Sequence, residues 1–319
     1  MLAVTFLVAH LWPPSATAAT WELLSPNSPE SFQARNLEQF ASDVDQATAG
    51  QLRIVVLADS ARLDGRQIKQ AVAAGRAPAG ELLLSDLRDE DAAFEVDSIP
   101  FLATDYYEAL RLWEASRPVL ARLLEARGVH AVFAVAEPPR GLFSTKNITK
   151  MDDLRGLRLL DDDPLIRQFA ILAEAVPTEV PGSMTQAFAT GQIEAAIASL
   201  PKGVREQAWE AAENYYDLGM TLPKSVVVFN RTAFASLDPV IQRAVLNAAV
   251  AAQNRGWKTS AMAHNDAIDH MQARGMSIAA PDPELLAEMR KIGSRMADEW
   301  ERRSGSDVQR ILRAYRSQR

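Results

Sequence analysis

Short apolar runs of strand length alternate with amphipathic stretches of helix length along most of this chain. In the first part the predicted elements follow in the order strand 21–25, helix 31–48, strand 52–57, helix 64–74, strand 81–84, two helices across 105–127 and strand 129–136. Such alternation is typical of α/β proteins, because each helix returns the chain so that the next strand can pair in parallel. The pattern therefore predicts an α/β fold with largely parallel strand pairing.

A second series of the same kind follows residue 138. Its predicted strands cover 157–160, 178–180 and 193–198, and its helices cover 165–173 and 184–190. A strand over 225–230 is predicted to return to the first series, ahead of a long helix over 239–270. A chain of 319 residues has room for two such units. We predict a signal segment over 1–19, a first lobe from 20–137 and 225–265, and a second lobe from 138–224 and 266–319.

The two predicted lobes are joined by several short crossings rather than by one linker. Such connections are typical of a hinge, with a ligand bound in the cleft between the lobes. The first crossing carries Pro138, Pro139 and Arg140. Because buried arginine is rare unless it is paired, Arg140 is a candidate ligand contact.

The overall charge limits the kind of partner this chain can have. It carries 34 Lys and Arg against 41 Asp and Glu, a formal net charge of −7. Nucleic-acid binding needs a surplus of basic residues on some face, so we expect no nucleic-acid partner. Arginines gather only between residues 302 and 319, where preceding acidic residues at helical spacing indicate a solvated helix end. The absence of cysteine excludes disulfides, thiol catalysis and thiolate metal sites.

The first nineteen residues are typical of a secretory signal peptide. Residues 1–11 are mostly apolar, Pro13 and Pro14 interrupt them, and Ala16 and Ala18 place small residues where such peptides are cleaved. The usual basic start is missing. No later segment reaches the roughly 18 uninterrupted apolar residues of a membrane span. We therefore expect a soluble protein that is exported to the periplasm.

The sequence lacks the common catalytic motifs. It contains no phosphate-binding G-x-x-x-x-G-K, no G-x-G-x-x-G after a strand and no G-x-S-x-G elbow. His130 lies in an apolar strand, and His264 and His270 are six residues apart, a spacing that does not place them on one helix face. We predict neither an enzyme nor a cofactor or metal site.

The most conspicuous charge cluster is the triplet Asp161, Asp162 and Asp163. Its oxygen atoms are suitable ligands for calcium or magnesium. The interpretation we favour is that Asp163 caps the helix that begins at Pro164, with proline in the preferred first turn.

Several motifs, in order, resemble those of the solute-binding proteins of TRAP (tripartite ATP-independent periplasmic) transporters, the DctP-type family. The strongest match lies within residues 148–159, and a second lies at 187–195. The stretches that carry the resemblance are ARLDGRQ at 61–67 with AG at 74–75, DSIPFL at 97–102, MDDLRGLRL at 151–159, AFATGQIEA at 187–195, and Asn230 with LDPVIQ at 237–242. Together they span almost the whole chain after the signal segment.

This resemblance implies a two-lobed periplasmic-binding-protein fold that closes over an organic anion, usually a carboxylate, without transforming it. In the family two arginines commonly meet the anion. Arg140 occupies the first position, and Leu160 occupies the second. Leucine cannot make the paired charge-assisted bonds of a guanidinium. One possibility is that Arg140 holds the anion, alone or with help from Arg158 or Arg167. The other is that the ligand is less acidic and more apolar than a dicarboxylate. Strand alternation favours a solvent-facing Arg158.

Other candidate ligand contacts follow the predicted strands. Asn27 and Ser28 come after the first strand and Ser85 ends the third, where open α/β sheets gather ligands, although all three are also suited to turns. Ser199 follows a second-lobe strand where the family often places a polar contact. Trp209 is a candidate wall of the cleft, with a place in the core as its alternative.

The expected function is the binding component of a TRAP uptake system that works by hinge closure. A small organic acid is the expected ligand and the membrane permease subunits are the expected partners. We expect a monomer, with a dimer through the C-terminal helices left open. The alternatives are a ligand-sensing receptor for a signalling partner and an exported hydrolase, for which no nucleophile and base can be named.

Overall fold

The computed structural model describes residues 19–60 and 63–317, which form two β-sheets with helices packed around them. The strands of this part of the chain are β1 (Ala19–Leu24), β2 (Leu52–Leu57), β3 (Ala79–Leu83), β4 (Val129–Ala136), β5 (Arg140–Ser144), β6 (Arg158–Leu160), β7 (Val176–Thr178), β8 (Ala195–Ser199), β9 (Asn214–Tyr216), β10 (Lys224–Asn230) and β11 (Ser277–Ala279).

The helices surround both sheets, and most begin at a side chain that caps the first turn. Ser31, Asp64, Asp163 and Asp238 each accept a backbone N–H in this way, and for Asp64 and Asp163 the sequence predicts the cap. The helices are α1 (Phe32–Ala47), α2 (Gly65–Ala73), α3 (Tyr106–Ala126), α4 (Pro164–Leu172), α5 (Met184–Ala189), α6 (Leu200–Glu206), α7 (Arg231–Ala235), α8 (Pro239–Ala273), α9 (Pro283–Arg303) and α10 (Ser306–Arg316).

The first sheet, with its flanking helices, forms the first lobe and has the strand order β2-β1-β3-β10-β4. Its strands alternate as expected for a sheet under helices, with Trp21 and Leu23 buried and Glu22 exposed. Strand β1 pairs in parallel with β2 and β3, whereas β10 runs antiparallel to β3 and β4. The predicted return of strand 225–230 to the first lobe is confirmed.

The second sheet forms the second lobe and has the order β11-β9-β5-β8-β6-β7. Here β5 is antiparallel to β8 and β9, and the other pairs are parallel. The prediction of largely parallel pairing is therefore only partly correct. In each sheet the antiparallel strand, β10 or β5, enters directly from the other lobe, because no helix turns the chain around before it.

Helix α8 is 35 residues long, about 52 Å, and packs on both lobes. It lies against α1 and β4 of the first lobe and against α6 and β11 of the second. Gly256 permits this close approach, because a Cβ atom there would lie 2.4 Å from Val135 Cγ2. The long helix predicted over 239–270 is confirmed.

Helix α3 is continuous, although the sequence predicted two helices across 105–127. Pro118 lies inside it on the exposed side, while Leu112, Val119 and Leu120 bury the opposite face. Proline has no N–H to donate within the helix, but on the exposed side the carbonyl left without a donor is accessible to water. Packing of the buried face stabilises the helix across this position.

The two C-terminal helices pack on different parts of the molecule. Helix α9 lies against α4 of the second lobe, whereas α10 lies against α3 beside the first lobe. Four apolar residues of α10, Val308, Ile311, Leu312 and Tyr315, are buried there. The segment 266–319, which the sequence assigned to the second lobe, thus ends in a helix that contacts the first-lobe side.

The predicted signal segment lies outside the described residues up to position 18, and Ala19 begins β1. Within the described part of the chain, no helix has both the length and the apolar character that a membrane crossing requires.

Candidate functional site

Two crossings between the lobes lie side by side and are hydrogen-bonded to each other. Glu137 N donates to Pro223 O (2.7 Å), Arg140 N donates to Thr221 O (3.0 Å), and Met220 N donates to Arg140 O (2.9 Å). We call residues 137–140 and 220–223 the hinge ribbon. The backbone of Arg140 is thereby fixed at the point about which the lobes can move.

A cavity of about 390 Å³ opens between the lobes beside the hinge ribbon. This volume is in the range of small-molecule sites in proteins. The first lobe contributes residues that follow β1 and begin α1, and the second lobe contributes the end of β8 and the start of α6. Representative lining residues are Asn27, Ser28, Gln33, Arg140, Ser199 and Lys202. We call this space the cleft cavity.

Arg140 is the principal cation of the cleft cavity. Its side chain is half-buried, and within the described residues its guanidinium forms no hydrogen bond or ion pair. The residue opens β5, and Gly141 beside it leaves no room for a Cβ atom, which would lie 2.4 Å from Tyr216 O. A half-buried guanidinium without a partner is suited to bind a carboxylate through two parallel charge-assisted bonds.

The second-lobe wall adds a hydroxyl and two further cations. Ser199 is the register partner of Arg140 in the sheet, and it precedes α6 without using its hydroxyl as a cap. Lys202 Nζ lies 3.1 Å from an oxygen of Asp162, and Arg205 is exposed at the cavity mouth. This wall therefore offers hydrogen-bond donors to an anion.

The first-lobe wall is built on a buried carboxyl group. Glu81 of β3 is 3% exposed, and its Oε2 accepts bonds from Ser25 Oγ (2.7 Å) and Asn27 Nδ2 (2.9 Å). Burial raises the pKa of Glu81, and the two hydrogen bonds oppose this rise. The network fixes Asn27 at the edge of the cleft cavity, where the β1 strand ends.

Glu137 closes the floor of the cleft cavity at the end of β4. Its Oε1 accepts a bond from Ser225 Oγ (2.6 Å) and its Oε2 accepts one from Gln33 Nε2 (2.7 Å). Burial, with a contribution from the nearby Glu81 carboxyl, raises the pKa of Glu137 to about 7, although the hydrogen bonds and Arg140 act in the opposite direction.

Four of the residues predicted from the sequence meet at this cavity: Asn27, Ser28, Arg140 and Ser199. The other three lie elsewhere. Ser85 is buried in a short 3₁₀ helix (Leu84–Leu87), because the chain turns inward after β3 ends. Leu160 is 6% exposed in the apolar core of the second lobe.

Trp209, the third, lies on a 3₁₀ helix (Ala208–Glu210) away from the cavity. The guanidinium of Arg274 lies 4.8 Å from its ring centre, and the His270 ring lies at 5.2 Å. It packs on the end of α8 instead of forming a cleft wall.

Sequence reasoning missed Glu137, Gln33, Lys202 and Arg205 as cavity residues. A signal for Glu137 was present, since an acidic residue directly follows a buried strand at the Pro138 crossing. Gln33 gave no signal, because its role depends on a partner 104 residues away.

The acidic triplet acts as the favoured interpretation predicted. Asp163 Oδ1 accepts the N–H of Leu165 at the start of α4, and its other oxygen lies 3.0 Å from Arg88 Nη2 of the first lobe. Asp161 and Asp162 pair with Arg167 and Lys202. Residues 19–60 and 63–317 contain no cluster of His, Asp or Glu arranged to hold a metal ion.

Two α/β lobes, a hinge ribbon and an interlobe cavity with an unpaired cation define a two-lobed solute receptor. The chain belongs to the DctP family, bacterial extracellular solute-binding protein family 7, whose model matches residues 25–303. Members of this TRAP-associated family bind small organic acids and work with membrane permease subunits.

Solved structures of related receptors agree with this assignment. DctP7 of Bordetella pertussis, an extracytoplasmic solute receptor binding pyroglutamic acid, is 37% identical, with a TM-score of 0.86 over 94% of this chain and 100% of its own. DctP6 of the same organism, also binding pyroglutamic acid, is 34% identical (TM-score 0.87, 94% and 100%). A marine metagenome TRAP protein specific for pyroglutamate is 28% identical (TM-score 0.85, 94% and 99%). No curated protein matches the sequence.

Proposed function

We propose that this protein captures pyroglutamate, or a close monocarboxylic relative of it, and delivers it to a TRAP-type membrane permease. The observation that carries the proposal is the half-buried guanidinium of Arg140, which lines the cleft cavity and has no hydrogen-bond or ion-pair partner in the described part of the chain. A ligand carboxylate supplies the missing charge and both missing hydrogen-bond acceptors. The related pyroglutamate receptors support the choice of ligand.

A monocarboxylate also accounts for Leu160. The family resemblance led us to expect a second arginine at this position, which in this chain is a core leucine. Pyroglutamate carries one carboxylate, so one guanidinium satisfies it. The opposite end of the molecule is a lactam, whose N–H needs an acceptor and not a cation, and the first-lobe wall supplies acceptors at Glu137 and Asn27.

In this proposal the protein works by conformational change and not by chemistry. The ligand binds both walls of the cleft cavity, so it favours the closed arrangement of the lobes by its differential affinity. We propose that the receptor is exported to the periplasm by its N-terminal segment, acts as a monomer without a cofactor, and releases its ligand unchanged.

Calorimetric titration of the purified protein with L-pyroglutamate tests the proposal. We expect saturable one-to-one binding, and stabilisation of about 3 kcal/mol at a ligand concentration 100 times the dissociation constant. Native mass spectrometry of the untreated protein should detect a retained small acid. If neither pyroglutamate nor any other small monocarboxylate binds, the proposal is wrong.

A zwitterionic amino acid is a second candidate, because one cavity holds both Arg140 and Glu137. L-Proline has the same ring size as pyroglutamate but carries an ammonium group in place of the lactam. Tighter binding of L-proline than of L-pyroglutamate would assign the site to amino acids.

A further inference from the structure

The carboxyl group of Glu137 is held in place by the protein and still has capacity to accept further bonds. Ser225 and Gln33 each donate one bond, one to each oxygen, at 2.6 and 2.7 Å. An ionised carboxylate offers about four acceptor positions, so about two remain. Glu137 comes three residues before Arg140 in the chain, and both side chains line the cleft cavity.

The amides of the first-lobe wall also present acceptors to the cavity. Asn27 Nδ2 donates to Glu81 and Gln33 Nε2 donates to Glu137. In its ionised form each carboxyl group only accepts hydrogen bonds, which fixes the orientation of the amide that is bonded to it. In the described residues neither Asn27 Oδ1 nor Gln33 Oε1 has a partner. The first-lobe wall is therefore complementary to a ligand group that donates hydrogen bonds.

Two carboxyl groups, those of Glu81 and Glu137, lie at this wall without a cation of the described residues close to either. Glu81 is 3% exposed and interacts electrostatically with Glu137. Within residues 19–60 and 63–317, neither carboxyl has a Lys or Arg within ion-pair distance, and Arg140 acts on Glu137 only from farther away. A second negative group placed here would meet unscreened like charge in a partly desolvated site.

We propose that Glu137 determines the charge selectivity of the cleft cavity: it accepts a donor group from a monocarboxylate and excludes dicarboxylates. This inference rests on the proposed function, because it assumes that Arg140 holds the ligand carboxylate. The lactam N–H of pyroglutamate then faces Glu137, and its ring carbonyl faces the donors of the second-lobe wall.

Selectivity of this kind comes from a repulsive element as well as from an attractive one. In this pose a dicarboxylate that binds Arg140 with one end places its other end near Glu137, on the wall that the lactam N–H of pyroglutamate would face. This second carboxyl group is either ionised and repelled by Glu137, or it binds in its protonated form. Burial raises the pKa of Glu137 to about 7, because a negative charge is poorly solvated at this wall even in the absence of a ligand.

The experiment compares three ligands by calorimetry at pH 8, where Glu137 is mostly ionised. They are L-pyroglutamate, succinate, and 3-oxocyclopentanecarboxylate, in which a methylene replaces the lactam N–H. In the wild-type protein we expect succinate to bind at least about 100-fold more weakly than pyroglutamate, and the methylene analogue at least about tenfold more weakly. This arm needs no variant, so it stands even if a variant fails to fold.

The Glu137→Gln variant removes the charge and retains the shape of the side chain. We expect the gap between pyroglutamate and succinate to shrink about tenfold. Glu38→Gln makes the same charge change on the exposed face of α1 and should leave the ratio unchanged. Equal wild-type affinities for succinate and pyroglutamate, or an unchanged ratio in folded Glu137→Gln, would overturn the inference. A failure of every ligand to bind the wild type would instead overturn the proposed function.

Discussion

The two walls of the cleft cavity differ in how their polar groups are satisfied. On the first-lobe wall, Glu81 and Glu137 each accept two bonds from neighbouring side chains. On the second-lobe wall, the side chains of Arg140 and Ser199 have no partner within the described residues. The carboxyl groups of the first-lobe wall thus have hydrogen-bond partners in the absence of a ligand, whereas Arg140 and Ser199 of the second-lobe wall would gain theirs from the ligand. We infer that affinity comes mainly from the second wall and selectivity from the first.

The strongest test of this contrast is the removal of the unpaired cation. Arg140→Ala should lower the affinity for pyroglutamate about 100-fold, equivalent to about 3 kcal/mol, because two charge-assisted bonds are lost. Arg140→Lys keeps the charge without the planar fork and should lose about tenfold. Calorimetry measures both.

The matched control is Arg158→Ala, which removes an exposed arginine paired with Glu194 on the outer surface. Its affinity should equal that of the wild type. An Arg140→Ala protein that binds pyroglutamate normally would show that the second wall is not the source of affinity.

The first wall can be tested without a ligand, through the pH dependence of stability. The pKa of Glu137 is raised to about 7 from its ordinary value of 4.5. Between these values the native state holds a proton that the unfolded chain has released, so the free energy of unfolding should fall as pH rises from 5 to 7.5. We expect Glu137 to contribute about 2 kcal/mol to this fall.

Urea unfolding at pH 5, 6 and 7.5 measures the effect. Glu137→Gln should flatten the slope, and Glu38→Gln should not. Glu81, Arg140 and Tyr106 are the charged or titratable groups that interact with Glu137, and all three remain in both variants. If the free energy of unfolding changes with pH equally in the wild type and in Glu137→Gln, the pKa of Glu137 is not raised in the native state.

The smallest expected effect concerns the contact that holds the two walls together away from the ligand. Arg88 and Asp163 form a 3.0 Å ion pair between the lobes, with side chains 18% and 11% exposed. Arg88→Ala should weaken pyroglutamate binding about threefold to fivefold, near 1 kcal/mol, through a faster dissociation rate.

Asp163→Asn retains the cap on α4 while it removes the charge, and it should give a similar loss. The double variant should lose no more than either single one if the pair acts as a unit. Strictly additive losses would show that the two residues act independently of each other.

Local signals made much of the fold predictable. Strand β2 and the cap of α2 at Asp64 follow from short-range patterns, and both lie where the sequence placed them. Strands β5, β9 and β11 were not predicted, because each is defined by pairing with strands more than 50 residues away in the chain, which no local pattern reveals. The continuity of α3 through Pro118 depends on tertiary burial of its other face, which the local sequence does not encode.

The candidate site was predictable only where one residue carried the signal. Arg140 was recognised from its place at a Pro-Pro crossing and from the family resemblance. Glu137 has its role through Gln33 and Ser225, which are 104 and 88 residues away in the chain. Ser85 was predicted from the rule that ligands gather at strand ends, but β3 ends at Leu83 and the chain then turns inward.

The hinge ribbon has a consequence for how a ligand is taken up. The backbone N–H and C=O of Arg140 are both hydrogen-bonded to the neighbouring crossing, and we infer that a rotation of either lobe about the hinge ribbon displaces this residue little. A ligand carboxylate can therefore bind Arg140 while the two lobes are still in an open arrangement. Ligand binding and lobe closure would then be separate steps, and Arg140 would stay bonded to the ligand carboxylate throughout closure.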